Sequence, residues 1–279
     1  MKALKECGGS NHRWYLFHLA GLCFAMAIRL IPLHRRFGAA MFIARALEPF
    51  IRRTEAFQDQ RKGNVDGVAE IALHFVLNTL TKNGTKFDPL LIVDGFDELK
   101  RLLATGKGVL LISPHTVLSL LMIRLFHDAQ LAPVIITADP QMRVSGTTTR
   151  PHILQPSPTF LVVTRTKLRG GKLVCAMPDR GEPTEGRTVE FDTVNGRIIL
   201  ATPLMQVAAR CGANVMFLKV HVEERGIVAT MVSPSPSSAN SADAITGDFI
   251  KFVREHVEDR FAYRKSASDR ARNFGAQLE

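Results

Sequence analysis

From residue 90 onward, short runs of branched aliphatic residues punctuated by glycine and proline alternate with amphipathic stretches. Val109–Ile112 shows the first kind: it is too short for a helix and reads as a strand buried on both faces. The same reasoning predicts strands near 90–93, 108–113, 132–137, 159–164, 172–177, 189–192, 214–222 and 226–232, and helices near 96–105, 116–129, 201–211 and 242–260. Such alternation predicts an α/β sandwich with a central mixed sheet flanked by helices. Ahead of it, 38–53 and 66–80 carry helical spacing and end near Asn83-Gly84. The chain therefore divides into a helical region over 1–89, an α/β domain over 90–263 and a basic tail over 264–279. The Pro/Ser-rich 231–240 is a loop, after which Ser241 or Asp243 can cap the last helix.

At 279 residues, with 46% hydrophobic and 22% charged positions, the chain can bury a substantial core and is not of disordered composition. Seventeen Phe accompany one Trp and two Tyr, which suits apolar pockets better than base stacking, so nucleic acid is not the expected partner. The net charge of +10 favours anionic lipid surfaces or an acidic carrier protein. Cys7, Cys23, Cys175 and Cys211 show neither metal-ligand spacing nor a disulfide framework, which fits a reducing compartment. Gly170-Gly171 lacks the spacing and the Lys-Ser/Thr of a phosphate loop.

The chemistry concentrates in 106–120, GKGVLLISPHTVLSL. A buried strand runs into Ser113-Pro114, which sets His115 at the carboxyl end of the strand, the edge where open α/β sheets bind ligands. By position His115 is either a crevice base or a packing histidine. The stretch 170–179, GGKLVCAMPD, repeats the order of glycine turn, apolar strand and polar end, closing in Pro178-Asp179-Arg180. Ala201-Thr202-Pro203 then opens a helix ending at Cys211-Gly212-Ala213, and a strand follows from Asn214 to Val220.

This order of parts, from about Val93 to Pro236, resembles the lysophospholipid acyltransferase superfamily, in particular its lipid A biosynthesis (late) acyltransferases. The resemblance implies transfer of an acyl group from a thioester donor, acyl carrier protein or acyl-CoA, to a hydroxyl or amine of a lipid or specialised metabolite. It implies no bound cofactor and no metal. His115 would be the general base, and backbone N–H groups near Gly181 or after Pro114 would hold the oxyanion.

One position departs from the family. Its H-x-x-x-x-D/E signature reads HTVLSL here, so Leu120 stands where a carboxylate would orient the imidazole and stabilise the imidazolium. The candidate replacement is Asp179, which is otherwise a loop acid paired with Arg180 or Arg187. Ser113 and Ser119 can hydrogen-bond an imidazole but cannot offset its charge. Asp128 lies too far along the helix. Arg150, Arg165, Lys167, Arg169, Arg180 and Arg187 flank these segments, and a subset of such forks can hold a donor or acceptor phosphate, with Arg180 preferred and Arg150 and Arg165 next. Leu120 also leaves open a binding protein that keeps the acyl pocket but has lost the reaction.

The N-terminal 14–31, WYLFHLAGLCFAMAIRLI, is apolar but contains His18 and Arg29 and is flanked by Arg13 and His34-Arg35-Arg36. Its uncharged run of fifteen residues falls short of the ~20 that span a bilayer, and no small-residue cleavage site follows. An interfacial helix on an anionic membrane is expected, placing the protein in the cytoplasm at the periphery of the inner membrane. The alternative is a helix packed on the α/β domain.

Overall fold

Strand β2 (Val109–Ile112) has every side chain buried, and its neighbours on both sides run parallel to it. The computed structural model describes residues 23, 26–51, 72–73, 76–77, 79–80, 85–86, 91–114, 118, 121–138, 142, 150–180, 188–193, 196–223, 226–238 and 241–256. Around β2 they build a seven-stranded sheet from β1 (Leu91–Asp94), β3 (Val134–Ile136), β4 (His152–Leu154), β5 (Leu173–Ala176), β8 (Asn214–Glu223) and β9 (Gly226–Val232). The spatial order is β1-β9-β8-β2-β5-β3-β4. Strands β8, β2, β5, β3 and β4 run one way, and β9 pairs antiparallel with β8 and carries β1 beside it in parallel. The mixed sheet flanked by helices agrees with the sequence pattern.

Alternation along the strands sends side chains into two cores. On one face Val109, Leu111, Met216, Leu218 and Val220 share a cluster with Ile28, Phe37, Ala40 and the helical residues Ala72, Leu73, Val76, Leu77 and Leu80. Helix α1 (Leu33–Ile51), α2 (Phe96–Ala104) and α3 (Met122–Asp128) contribute to this side. The N-terminal helices are thus part of the main core. On the other face Leu110, Ile112, Val174, Ala176, Val215 and Phe217 pack under α4 (Phe160–Arg169), α5 (Pro203–Cys211) and α6 (Ala242–His256). Phe249 of α6 meets Phe217 edge-on, with centroids 5.3 Å apart. Ser241 caps α6 as expected, its hydroxyl accepting from the Ala244 N–H at 3.3 Å.

Two glycines are fixed by the packing. A Cβ on Gly108 would run into the backbone of Leu168 at the end of α4, so only glycine lets the chain enter β2 there. Gly95 combines φ +83° with the Met231 carbonyl pressed against the position a Cβ would take.

The structure corrects several sequence expectations. The β-branched run 159–164 is not a strand but the first half of α4. Its exposed positions Val162, Arg165, Thr166 and Arg169 and its buried Thr164 and Leu168 follow helical period, and that periodic burial overrides the strand propensity of single residues. The third parallel partner on that side is instead β4, three residues between Pro151 and Pro156, too short to show alternation. Strand β7 (Gly196–Ala201), not expected, pairs antiparallel with β6 (Thr188–Thr193) in a separate two-stranded sheet. Its signal was the Asn195-Gly196 dipeptide between apolar alternations. The helix expected over 116–129 is helical from Met122, while Leu118 lies in a turn.

At the N-terminus, residues 26–29 are helical, and Ile28 is buried while Met26 and Leu30 are 60% and 89% exposed. Arg29 and Arg36 hydrogen-bond within the chain. The Arg29 Nε donates to Thr85 Oγ1 at 3.1 Å, and Arg36 donates to the carbonyls of Ile31, Lys86 and Arg29 at 2.8 to 2.9 Å. Among the described residues, no helix is long and apolar enough to cross a membrane. Most of 14–31, the tail 264–279 and Cys7 lie outside the described residues.

Candidate active site

The site is built at the carboxyl ends of adjacent parallel strands. Ile112 of β2 and Ala176 of β5 are register partners, and the pairing continues one step further as the Ser113 N–H donates to the Ala176 carbonyl at 3.0 Å. Ser113 is buried, with its hydroxyl donating to the Pro114 carbonyl at 2.9 Å. On the neighbouring strand the chain folds into a 3-10 turn, Pro178–Arg180, in which Asp179 is only 4% exposed. Ser113 and Asp179 both make further polar contacts, as expected for buried polar groups.

A third motif arrives at the same edge. Helix α5 feeds β8 at the amino end of the sheet, where Asn214 N–H donates to the Gly108 carbonyl at 2.9 Å. Its first turn, Thr202-Pro203, therefore points back toward the carboxyl edge, and β7 just before it packs against the Pro178–Arg180 turn. Thr202 is buried, and Pro203 occupies the first helical turn, where its missing N–H costs no hydrogen bond. The amino end of α5 adds a partial positive charge to the edge that holds Asp179.

His115 follows Pro114 by one peptide bond but lies outside the described residues, as do Ser119, Leu120, Gly181 and Arg187; for Arg180 the backbone alone is described. Arg150 sits two residues before β4, at the amino end of that strand and so at the edge opposite Ser113 and Asp179. Arg165 is exposed in the middle of α4. Leu118 and Leu121, on either side of the Ser119-Leu120 pair, are buried in the N-terminal-face core.

Sequence reasoning missed a second imidazole. Beyond Phe217, the partner of Ile112, β8 continues past the end of β2 and carries His221 and Glu223. Alternation puts both on the same face of the strand as Val215 and Phe217. His221 is 6% exposed, and its Nε2 lies 3.0 Å from Glu223 Oε1. The available signal was the H-x-E spacing inside a strand, which projects two side chains to one side. Cys175, by contrast, packs against two apolar clusters from β5, and burial pushes its thiol pKa far up, which removes it as a nucleophile.

No family model matches the chain, and no curated protein matches it either.

Proposed function

We propose that the protein is an acyltransferase that moves an acyl group from a thioester, carried by acyl carrier protein or coenzyme A, to a hydroxyl or amine of a lipid or specialised metabolite. The observation that supports this best is the convergence of Ser113-Pro114, Pro178-Asp179 and Thr202-Pro203 at one edge of the sheet. Three segments far apart in sequence end there with buried polar groups, in a fold whose carboxyl edge is the usual ligand site.

In this reading His115 removes the proton from the acceptor as its oxygen or nitrogen attacks the thioester carbonyl. The tetrahedral oxyanion is held by backbone N–H groups, the carbon–sulfur bond breaks, and the thiol leaves with the proton returned by the imidazolium. Asp179 orients the imidazole in place of the carboxylate lost at Leu120. A second reading keeps the reaction and moves the base to His221, because its 3.0 Å pair with Glu223 supplies an imidazole already held by a carboxylate.

The proposed setting is the cytoplasmic periphery of an anionic membrane. Met26, Leu30, Leu33 and Phe42 expose 43 to 89% of their surface at the N-terminal helices, with Arg35 among them in sequence and Arg45 just after. Leu30→Glu/Phe42→Glu should reduce co-sedimentation with phosphatidylglycerol vesicles without unfolding the chain. Unchanged vesicle binding removes the membrane setting.

The deciding experiment incubates the full chain with acyl carrier thioester and with acyl-CoA, with and without an acceptor library, and follows release of free thiol. Acceptor-dependent thiol release that disappears in His115→Ala supports the first reading, and disappearance only in His221→Ala supports the second. Tight acyl-thioester binding without any thiol release would identify a binding protein that has lost the reaction.

A further inference from the structure

We infer that the exposed face of α4 is the docking surface for an acidic helix of a protein partner, and that this partner is the protein that carries the thioester; the second half rests on the acyl-transfer reading. The first observation is a stripe. Val162, Arg165, Thr166 and Arg169 are the exposed positions of α4, and their spacing of three, four and seven residues puts them on one line along the helix. Val162 leaves 65% of its surface to solvent, so the stripe begins in an apolar contact point and continues in two guanidinium groups.

The second observation is the lack of opposing charge. From residue 140 to 178 the sequence carries six Lys or Arg and no Asp or Glu. Three other helices pair bases with their own acids: α2 pairs Arg101 with Glu98 and Lys100 with Asp97, α3 pairs Arg124 with Asp128, and α6 pairs Lys251 with Glu255. No carboxylate among the described residues pairs with Arg165 or Arg169, and Lys172 extends the basic run beyond the helix end. A helix designed only for solubility would intersperse both signs, as α2 does.

The third observation is placement. Helix α4 leaves β4 at the carboxyl edge and returns to β5 at the amino edge, so its Val162 end is nearest the candidate site. Ten residues of helix extend about 15 Å. A carrier lying along this stripe holds its thioester arm toward the edge that carries Ser113 and Asp179. An acidic helix with a small apolar contact complements such a stripe in charge and shape, and its association depends on electrostatic steering. A nucleotide-sized donor needs no such surface.

The test measures binding separately from turnover. A fluorescently labelled acyl carrier protein bearing a stable thioester mimic is titrated with the intact chain, with Arg165→Glu/Arg169→Glu and with Val162→Ser, each checked by circular dichroism. The double charge reversal is expected to weaken binding at least tenfold, Val162→Ser less, and added salt should weaken the wild type in the same direction. Thiol release from a short free acyl thioester should be unchanged in Val162→Ser. Equal carrier binding by wild type and double variant, or no carrier binding by wild type, overturns the proposal. So does loss of phosphatidylglycerol vesicle binding in the double variant with carrier binding intact, which would assign the stripe to lipid. Carrier binding through α4 without thioester cleavage would remove the acyl-transfer reading while leaving the docking surface standing.

Discussion

Strands β2 and β8 lie side by side and run the same way, yet each handles its histidine differently. Strand β2 stops at Ile112, and His115 follows Ser113-Pro114 in the sequence, with Leu120 in place of the expected acid. Strand β8 does not stop; it continues into a hairpin with β9 and places His221 and its carboxylate within the regular pleat. A histidine beyond a strand end, with no carboxylate at the expected spacing, must find its orienting acid on another element. A histidine inside a strand gets its acid from period-two spacing, at the cost of being enclosed. The contrast shows that a missing motif acid is a statement about one segment of chain and not about the whole edge.

The sharpest way to break the contrast is to remove each imidazole in turn. His115→Ala should lower acyl transfer by roughly 10² to 10⁴-fold, the usual worth of a general base, with the melting temperature little changed. His221→Ala should lower stability more than it lowers turnover per folded molecule. The reverse pattern, measured by thiol release and thermal melting on the same samples, would exchange the roles of the two strands.

Supplying β2 with the acid it lacks is the next largest perturbation. Leu120→Glu is expected to destabilise the protein by roughly 3 to 5 kcal/mol, the cost of an unpaired buried charge, because Leu118 and Leu121 close by are buried. Urea denaturation measures this, and a stable variant with faster transfer would show that the position faces a polar site. Removing the acid from the other pair is milder. Glu223→Gln keeps a hydrogen-bonding group but loses the charge, and a loss of about 1 to 2 kcal/mol is expected in the same assay.

The smallest effect belongs to an exposed control. His127 Nδ1 lies 3.1 Å from Asp128 Oδ1 on α3, with Arg124 on the other carboxylate oxygen at 2.6 Å. Partial burial acts to raise the Asp128 pKa, but the hydrogen bonds from Arg124 and His127 outweigh it and hold the carboxyl below its ordinary value. A lowered folded pKa means the stabilisation is complete above the unfolded carboxyl value of about 4 and fades as pH falls through the lower folded one. Asp128→Asn should therefore cost less than ~1 kcal/mol at pH 7 and nothing near pH 2. A cost that persisted at pH 2 would mean the side chain contributes packing instead of charge.

Much of the fold was legible because burial on both faces leaves a plain signature. Val109–Ile112 and Leu173–Ala176 are uninterrupted apolar runs, and the polar residues that end them, Ser113-Pro114 and Pro178-Asp179, read as one edge from the sequence alone. Phe160–Thr164 was illegible for the opposite reason. Its residues favour strands one by one, and only the burial of Thr164 and Leu168 against the rest of the chain selects the helix. His152–Leu154 is too short to carry a period. His221-Val-Glu223 carries little sequence signal, because an H-x-E spacing marks one face only once the segment is known to be a strand, and there the pleat brings the imidazole within 3.0 Å of the carboxylate.

The pairing of β1 with β9 has a consequence for the order in which the molecule can be made. β1 leads the sheet in sequence, but its one neighbour in the sheet is the strand that comes last. On a ribosome, Leu91–Asp94 emerges with nearly the whole α/β chain still to be synthesised, and its hydrogen-bonding groups have no strand to join until the β8–β9 hairpin follows. The parallel strands β2, β5, β3 and β4 can assemble earlier among themselves, so closing the sheet is a late event governed by the C-terminal third. A chain cut short before Gly226 would keep the Ser113 and Asp179 edge in sequence yet expose the flank of β8 and leave β1 unpaired, a template for association between nascent chains.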